Sequence, residues 1–263
     1  MPKLSIITIN LNNAAGLQKT MESVFAQTFT DYEYIIIDGG STDGSKELIE
    51  NNANKFVYWA SEKDNGVYNA MNKGIEKAKG EYLLFLNSGD YFISNDVLDI
   101  AFKFNFTESI VYSDVRNNVS GKTIRFPEKL NFSFFYEATI NHQSTFLKKE
   151  LFEKYGLYNE TYQIVSDWEF FVKCIYLYNE SIRHLDLTLI EFDYSNGLST
   201  SEKTRQILNK ERNDVFQKYF PGFIYDYAEK ERLRKIYTDR METSIHLNKN
   251  LVLWIRKVRK SLR

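Results

Sequence analysis

The sequence predicts an α/β fold in which a mostly parallel central sheet carries helices on both faces, with a helical tail at the C-terminus. Three observations point to it. Apolar runs of strand length alternate with helical stripes through the first third of the chain. Loops rich in small and polar residues follow directly after three of those runs. Beyond Asn196-Gly197 the sequence becomes helical and heavily charged. Strands alternating with helices require crossover connections, which cover both faces of a parallel sheet.

Residues 4–9 form a continuous apolar run, the mark of a strand buried on both faces. Leu17, Met21, Val24 and Phe25 then recur at helical spacing. Residues 34–37 are the next strand, ending in the turn-rich loop Asp38-Gly39-Gly40-Ser41-Thr42-Asp43-Gly44. Residues 46–51 fit a helix and residues 56–59 a third strand. Ala70, Met71, Gly74, Ile75 and Ala78 make a second amphipathic stripe, with Gly80 where a C-cap glycine would stop it. Residues 82–86 are a fourth strand running into Asn87-Ser88-Gly89-Asp90. Further on, residues 109–113 and 145–147 read as strands. Residues 167–178 read as a helix with Phe170, Phe171, Cys174, Ile175 and Tyr178 on its apolar side.

In the tail, a helix from residue 247 places Leu247, Leu251, Trp254, Ile255, Val258 and Leu262 on one stripe. Arg256, Arg259, Lys260 and Arg263 lie opposite, and no acidic residue occurs between His246 and Arg263. Two readings fit: a basic amphipathic helix lying on an anionic membrane surface, or a helix docked on the rest of the chain with its basic face in water.

Composition narrows the function classes. With 34 basic and 35 acidic residues the charges balance, which argues against a dedicated nucleic-acid binder. Cys174 is the single cysteine and the three histidines are scattered, so neither a disulfide framework nor a Cys/His zinc site is expected. The start MPKLSIITIN carries no signal segment, so the expectation is a cytoplasmic chain, peripheral on the inner face of the plasma membrane if the tail binds lipid.

In open α/β sheets ligands sit beyond the carboxyl ends of the strands. Three loops hold that position: residues 8–12, 38–44 and 87–90. Asp38 could serve a base or ribose, or cap its own loop as an Asx-turn. Asp90 could hold a divalent metal, or be a surface turn carboxylate. A Gly-x-Gly-x-x-Gly loop is absent after the first strand, where Asn10-Leu11-Asn12-Asn13-Ala14-Ala15-Gly16 stands, so a nicotinamide-dependent oxidoreductase is a poor reading.

SIITINLNN, IIIDGGSTDGS and NKGIEKAKGEYLLFLNSGD, in that order, resemble the successive motifs of family 2 glycosyltransferases. The resemblance covers roughly residues 1–195 and implies the GT-A fold, with a Rossmann-like sheet. It is closest to bacterial members that build surface polysaccharides such as lipopolysaccharide or capsule. It implies a catalytic domain over residues 1–200 and a helical extension over 201–263. It also implies roles by position. Thr8, Ile9, Asn10, Asn12 and Asp38 would bind the nucleoside, and Asp64 would help to shape its pocket. Asn87 and Ser88 would meet the nucleotide, and Asp90 would hold Mg²⁺ or Mn²⁺ against the pyrophosphate. Asp167, in Val165-Ser166-Asp167-Trp168-Glu169, would be the general base, with Glu169 second. His142 would contact the donor diphosphate or the acceptor. Trp168 could stack on a sugar ring, although large aromatics mostly fill cores.

The chain departs from the family pattern twice. Asp38-Gly39 stands where a second carboxylate is usual, and Asn87 replaces the first Asp of the metal motif. The implied activity is inverting transfer of a sugar from a nucleotide diphosphate, UDP by family frequency, to a saccharide or lipid-linked saccharide. The alternative is a non-catalytic nucleotide-sugar-binding scaffold, which the missing carboxylates favour and the retained Asp90 and Asp167 oppose.

Overall fold

The structure, a computed structural model, describes residues 1–194 and 202–261, with side chains for 1–194 and 204–241. Its contacts divide the chain into residues 1–211 and residues 212–263.

The first unit begins with β1 (Leu4–Asn10), α1 (Ala14–Phe25), β2 (Tyr32–Asp38), α2 (Ser45–Glu50), β3 (Tyr58–Ser61), α3 (Val67–Lys77) and β4 (Tyr82–Phe85). It continues with β5 (Tyr91–Phe92), α4 (Val97–Phe102), β6 (Ile110–Asn117), β7 (Thr123–Ile124), α5 (Phe132–Glu137) and β8 (Thr145–Lys148). Then come α6 (Glu150–Tyr155), α7 (Ser166–Val172), β9 (Ile182–Phe192) and α8 (Glu202–Tyr219), whose last turns belong to the second unit. One sheet of nine strands forms among the described residues, in the order β3-β2-β1-β4-β8-β6-β9-β5, with β7 paired to β6. β3, β2, β1 and β4 are parallel neighbours, and β1, β2 and β4 are mostly apolar and buried, as strands covered on both faces are. β8 then runs antiparallel between β4 and β6, while β6 and β9 are parallel.

Side chains alternate across the sheet. Leu4, Ile6, Tyr34, Ile36, Tyr82 and Leu84 meet Leu17, Met21 and Val24 of α1, Ile49 of α2, and Val97, Leu98 and Ala101 of α4. The opposite face presents Ile7 to α3 and Phe85 to the rings of Phe152 and Tyr158. Gly74 lets α3 lie close, since a Cβ there would come within 2.5 Å of Ile7 Cγ2.

Several expected elements shift. The third strand starts at Tyr58 rather than at residue 56, because Phe56 closes the short 3₁₀ turn Ala53–Lys55 and packs against Phe25 and Tyr34. The helix expected over 167–178 is α-helical to Val172 and continues as a π turn over Lys173–Leu177. β9 was not anticipated; its leucines at 185, 187 and 189 alternate with polar residues, the signal of a half-buried strand. Gly80 is not a C-cap. Ala78, in extended conformation, ends α3, and Gly80 is instead required by contact, since a Cβ there would lie 2.5 Å from the Ser5 backbone nitrogen. Buried Glu33 accepts the N–H groups of Lys79 and Gly80 and the Ser5 hydroxyl, fixing this turn against β1.

The second unit continues α8 into α9 (Pro221–Ser261), with edge-on rings at Phe216, Phe220 and Phe223. The helical extension expected over 201–263 thus has its first turns in the first unit. The stripe expected over residues 247–262 lies outside the residues whose side chains are described, and residue 262 lies outside the described residues altogether. No helix among the described residues is long and apolar enough to cross a membrane.

Gly80→Ala forces β1 and the α3–β4 turn apart, and overpacking of this kind costs about 1–3 kcal/mol. Urea unfolding should show that loss with an unchanged m-value; a neutral substitution would disprove the close approach.

Candidate active site

The parallel register pairs Asn10 with Asp38 at the carboxyl ends of β1 and β2. Asp38 is fully buried and accepts four hydrogen bonds. Asn10 Nδ2 (2.7 Å) and the Ser41 hydroxyl (2.5 Å) reach Oδ1, while the Ser41 N–H (3.0 Å) and the Ser61 hydroxyl (2.7 Å) reach Oδ2. Burial pushes this carboxyl up, but the bonds from Ser41, Ser61 and Asn10 outweigh it and leave Asp38 below the ordinary carboxylate range. Asp38 therefore braces its own loop, and its neighbour Asn10 keeps an open acceptor. Asn10 Oδ1 is buried without a protein partner, and rotating the amide would set that oxygen against the Asp38 carboxylate. A buried acceptor left unmade costs roughly 1–3 kcal/mol, so Asn10 suits a ligand that brings a donor.

Asn12, at φ 49°, accepts the Thr42 N–H through Oδ1 and donates its own N–H to Ser41, so it ties the β1 loop to the β2 loop. Asp64 explains one departure from the family pattern. A Cβ on Gly39 would lie 2.6 Å from Asp64 Oδ2, so the space of a side chain at position 39 is already filled by a carboxylate from the next loop. Gly40, at φ +81°, is held to glycine by its backbone and by Lys63 N at 3.0 Å from its Cβ position. The Thr8 hydroxyl is sealed in the core against Tyr34 and the Leu86 carbonyl, so its side chain holds β1 in place. Ile9 contributes its carbonyl, which accepts the Ser88 N–H and fixes the loop after β4.

In that loop Ser88 gives its carbonyl to Asn13 Nδ2 at 3.1 Å, and Gly89 at φ +107° turns the chain. Asp90 is almost entirely buried, and Oδ1 accepts the N–H of Asp193 at 2.9 Å. Burial pushes the Asp90 carboxyl up to about 7; the nearby Asp193 charge adds to this, while the Asp193 N–H, His142 and Gln143 oppose it. Such a group gains from a cation. Asp90, Asp193 and the unpartnered Oδ1 of Asn87 are hard oxygen donors of the kind Mg²⁺ and Mn²⁺ take. No group of three His, Cys, Asp or Glu able to hold an ion occurs among the described residues, so an ion here would need ligands from the substrate phosphates.

A hydrogen-bonded row joins this loop to α7. Asn87 Nδ2 lies 3.1 Å from His142 Nε2, and His142 Nδ1 lies 2.6 Å from Asp167 Oδ2. With the Asn87 amide as donor, Nε2 accepts and the Nδ1 proton goes to Asp167. Tyr68 of α3 donates its hydroxyl to Asp167 Oδ1 (2.9 Å) and to the Ile164 carbonyl (2.6 Å). Burial pushes the Asp167 carboxyl up, but His142 and Tyr68 outweigh it and hold Asp167 ionised, below the ordinary range. Of the two readings of Trp168, the structure shows the packed one: its ring is buried and its indole N–H donates to the Phe135 carbonyl at 2.9 Å. Glu169, two residues beyond Asp167, is buried in α7.

The structure therefore gathers Asn10, Asn12, Asp38 and Asp64 at the first two strand ends, and Asn87, Ser88, Asp90, His142 and Asp167 at the third. Sequence reasoning missed Tyr68, Gln143 and Asp193, which come from elements without a chemical motif.

The model of Glycosyl transferase family 2 matches residues 5–169. A PGL/p-HBAD biosynthesis glycosyltransferase of Mycobacterium bovis is 29% identical over 80% of this chain and 84% of its own length. An uncharacterized glycosyltransferase of Mycobacterium tuberculosis is 33% identical over 65% of this chain and 68% of its own. Among solved structures, S. aureus TarS in complex with UDP-GlcNAc superposes with a TM-score of 0.63 at 21% identity, over 78% of this chain and 64% of that one. A mannosyltransferase from Pyrobaculum calidifontis in complex with GDP-Man and Mn²⁺ gives 0.63 at 16% identity, over 82% and 64%. The chain thus spans under two thirds of either structure, and both likenesses carry the fold.

Asp90 supplies a pH test. Its folded carboxyl sits near 7 and an unfolded one ionises near about 3.9, so between these values the folded state holds the extra proton. Stability from this group therefore falls as pH rises through that window. Asp90→Asn should melt above the wild type at pH 8 without metal, and the gap should close towards pH 5. A pH-independent gap in calorimetry would rule out the buried charge as its cause.

Proposed function

This chain belongs to glycosyl transferase family 2, and on that premise we propose that it transfers a sugar with inversion from a nucleotide diphosphate to a saccharide hydroxyl. The observation that carries the reading is the row Tyr68–Asp167–His142–Asn87. It connects an ionised carboxylate to the strand-end loop in which Asp90 needs a cation.

A sugar hydroxyl loses its proton only far above neutral pH, so attack requires a base in place. Asp167 fills that role. His142 and Tyr68 each take one position on its two oxygens, and every carboxylate oxygen has a second lone pair for the acceptor hydroxyl. As the acceptor oxygen bonds to the anomeric carbon, the bond to the diphosphate breaks, its electron pair leaves on the diphosphate, and the proton passes to Asp167. One displacement from the opposite face inverts the centre. Such a base is worth about 10²–10⁴-fold. A divalent ion held by Asp90 and Asn87 would neutralise charge on the leaving diphosphate. Asn10 Oδ1 offers the acceptor that a base N–H requires, and Asn12, Asp38 and Asp64 hold the loops around it.

UDP is the donor nucleotide we favour, and the UDP-GlcNAc complex of TarS supports it. The proposed acceptor is a lipid-linked saccharide of a bacterial surface polysaccharide. Contact of residues 245–263 with the inner membrane face would bring the enzyme to it.

Thermal shifts with UDP, GDP, dTDP and CMP, each with and without Mn²⁺, identify the donor class. Saturation to 100 Kd adds about 2.7 kcal/mol, and the expected result is a metal-dependent shift for UDP. No shift with any nucleotide would favour the scaffold reading. Asp167→Asn should keep the nucleotide shift and lose transfer by about 10²–10⁴-fold. Full turnover in that variant would exclude Asp167 as the base.

A further inference from the structure

α7 carries Asp167 at its second position, yet nothing within the helix fixes where it begins. Its N-cap is Val165, which has no side-chain group to cap the first turn. Residues 159–165, which lead into it, form neither helix nor strand. Side chains from other elements hold that segment instead. On one side α3 supplies three. Asn72 exchanges hydrogen bonds with the Tyr158 backbone, Asn69 and Asn72 both donate to Glu160, and Tyr68 donates to the Ile164 carbonyl. On the other side stands Glu211 of α8. Its carboxylate is buried, with Oε1 accepting the Gln163 N–H at 2.7 Å and Oε2 accepting the Ile164 N–H at 3.0 Å. Two successive backbone donors thus converge on one carboxylate from 48 and 47 residues away.

Ile164 is the point where these ties meet. Its N–H is fixed by Glu211 and its carbonyl by Tyr68, and the same Tyr68 hydroxyl reaches Asp167 Oδ1. We propose that Glu211 is a positioning residue for the base: by clamping the Gln163 and Ile164 amides it sets the start of α7 and so the reach of Asp167 between Tyr68 and His142. The proposal rests on the reading of Asp167 as base. Its consequence is that the start of α8, as far as Glu211, belongs with the catalytic domain. A catalytic domain ending at residue 200 would leave out the carboxylate that aims its own base.

The chemistry of the clamp selects the variant. Glutamine keeps the shape of Glu211 but turns one of its two acceptors into a donor, which would face an amide donor. In full-length Glu211→Gln, hydrogen exchange of peptides over residues 159–168 should speed up by about tenfold, as loss of one hydrogen bond implies. kcat, followed as nucleotide release, should fall roughly 10- to 100-fold, the scale of a misplaced reacting group. KM for the donor should stay within about twofold, because the nucleotide contacts lie on other loops. The acid limb of the pH–kcat profile should move up as Asp167 loses its partners. Glu211→Asp, which keeps both acceptors on a shorter stem, should fall between wild type and Gln. Glu211→Gln combined with Tyr68→Phe should lose less than the product of the single losses, since both act through Ile164.

Unchanged exchange and kcat in a folded Glu211→Gln overturn the proposal, and so does strict multiplicativity in the double variant. Loss of nucleotide binding and melting temperature in step with kcat makes Glu211 a general folding residue and overturns it too. An insoluble Gln variant passes the decision to Glu211→Asp, where exchange and kcat are read by the same criteria. A wild-type chain that turns over no nucleotide sugar would defeat the transferase reading instead, and the exchange measurement would still judge the clamp.

Discussion

Taking a carboxylate out of water costs several kcal/mol unless donors or a cation replace its hydration, and this chain buries Asp38 and Asp90 and largely covers Asp167 around one group of strand and helix ends. Each meets the cost differently. Asp38 receives four donors and becomes a fixed strut. Asp167 receives a histidine and a tyrosine and stays ionised with lone pairs to spare. Asp90 is undersupplied, is pushed up to about 7, and is therefore the group that gains from a metal. A strut, an ionised carboxylate with lone pairs to spare and a carboxyl that keeps its proton to about 7 are thus three outcomes of one constraint, set by how many donors the surrounding loops deliver.

The delivery depends on sheet register. β1 lies between β2 and β4, so its last residue, Asn10, pairs with Asp38 on one side while the Ile9 carbonyl takes the Ser88 N–H on the other. A shift of one residue would exchange Asn10 for a hydrophobic side chain, because successive residues face opposite sides of a strand. Ser5 and Thr8 inside β1 oppose that shift, because their hydroxyls bond Glu33 and the Leu86 carbonyl, so residues within the core also align the site.

Departures from a family pattern invite a reading of lost function, and the packing here gives another for one of them. Gly39 leaves room that the Asp64 carboxylate fills, so the pocket keeps its second carboxylate from a different loop. After β4, Asn87 offers an amide to His142 where a carboxylate is usual, which ties this loop to Asp167. The base segment is itself held by α3 and by Glu211, with little secondary structure of its own.

The sequence by itself determined the first four strands, the helices between them and the loops where ligands collect. Long apolar runs and helical stripes are local signals, and each reports the burial of its own segment. Asp38, Asp90 and Asp167 were legible because they stand in local motifs at the ends of such segments. The sequence misjudged Gly80, whose neighbours lie far away in the chain: a glycine can serve a turn or a close contact. It missed Tyr68, Asp193 and Glu211 altogether. These act through bonds spanning 47 or more residues, and no local pattern encodes a partner at that distance. Tertiary structure alone decided which carboxylate is held ionised and which is pushed up, because the donors that settle each charge arrive from other elements.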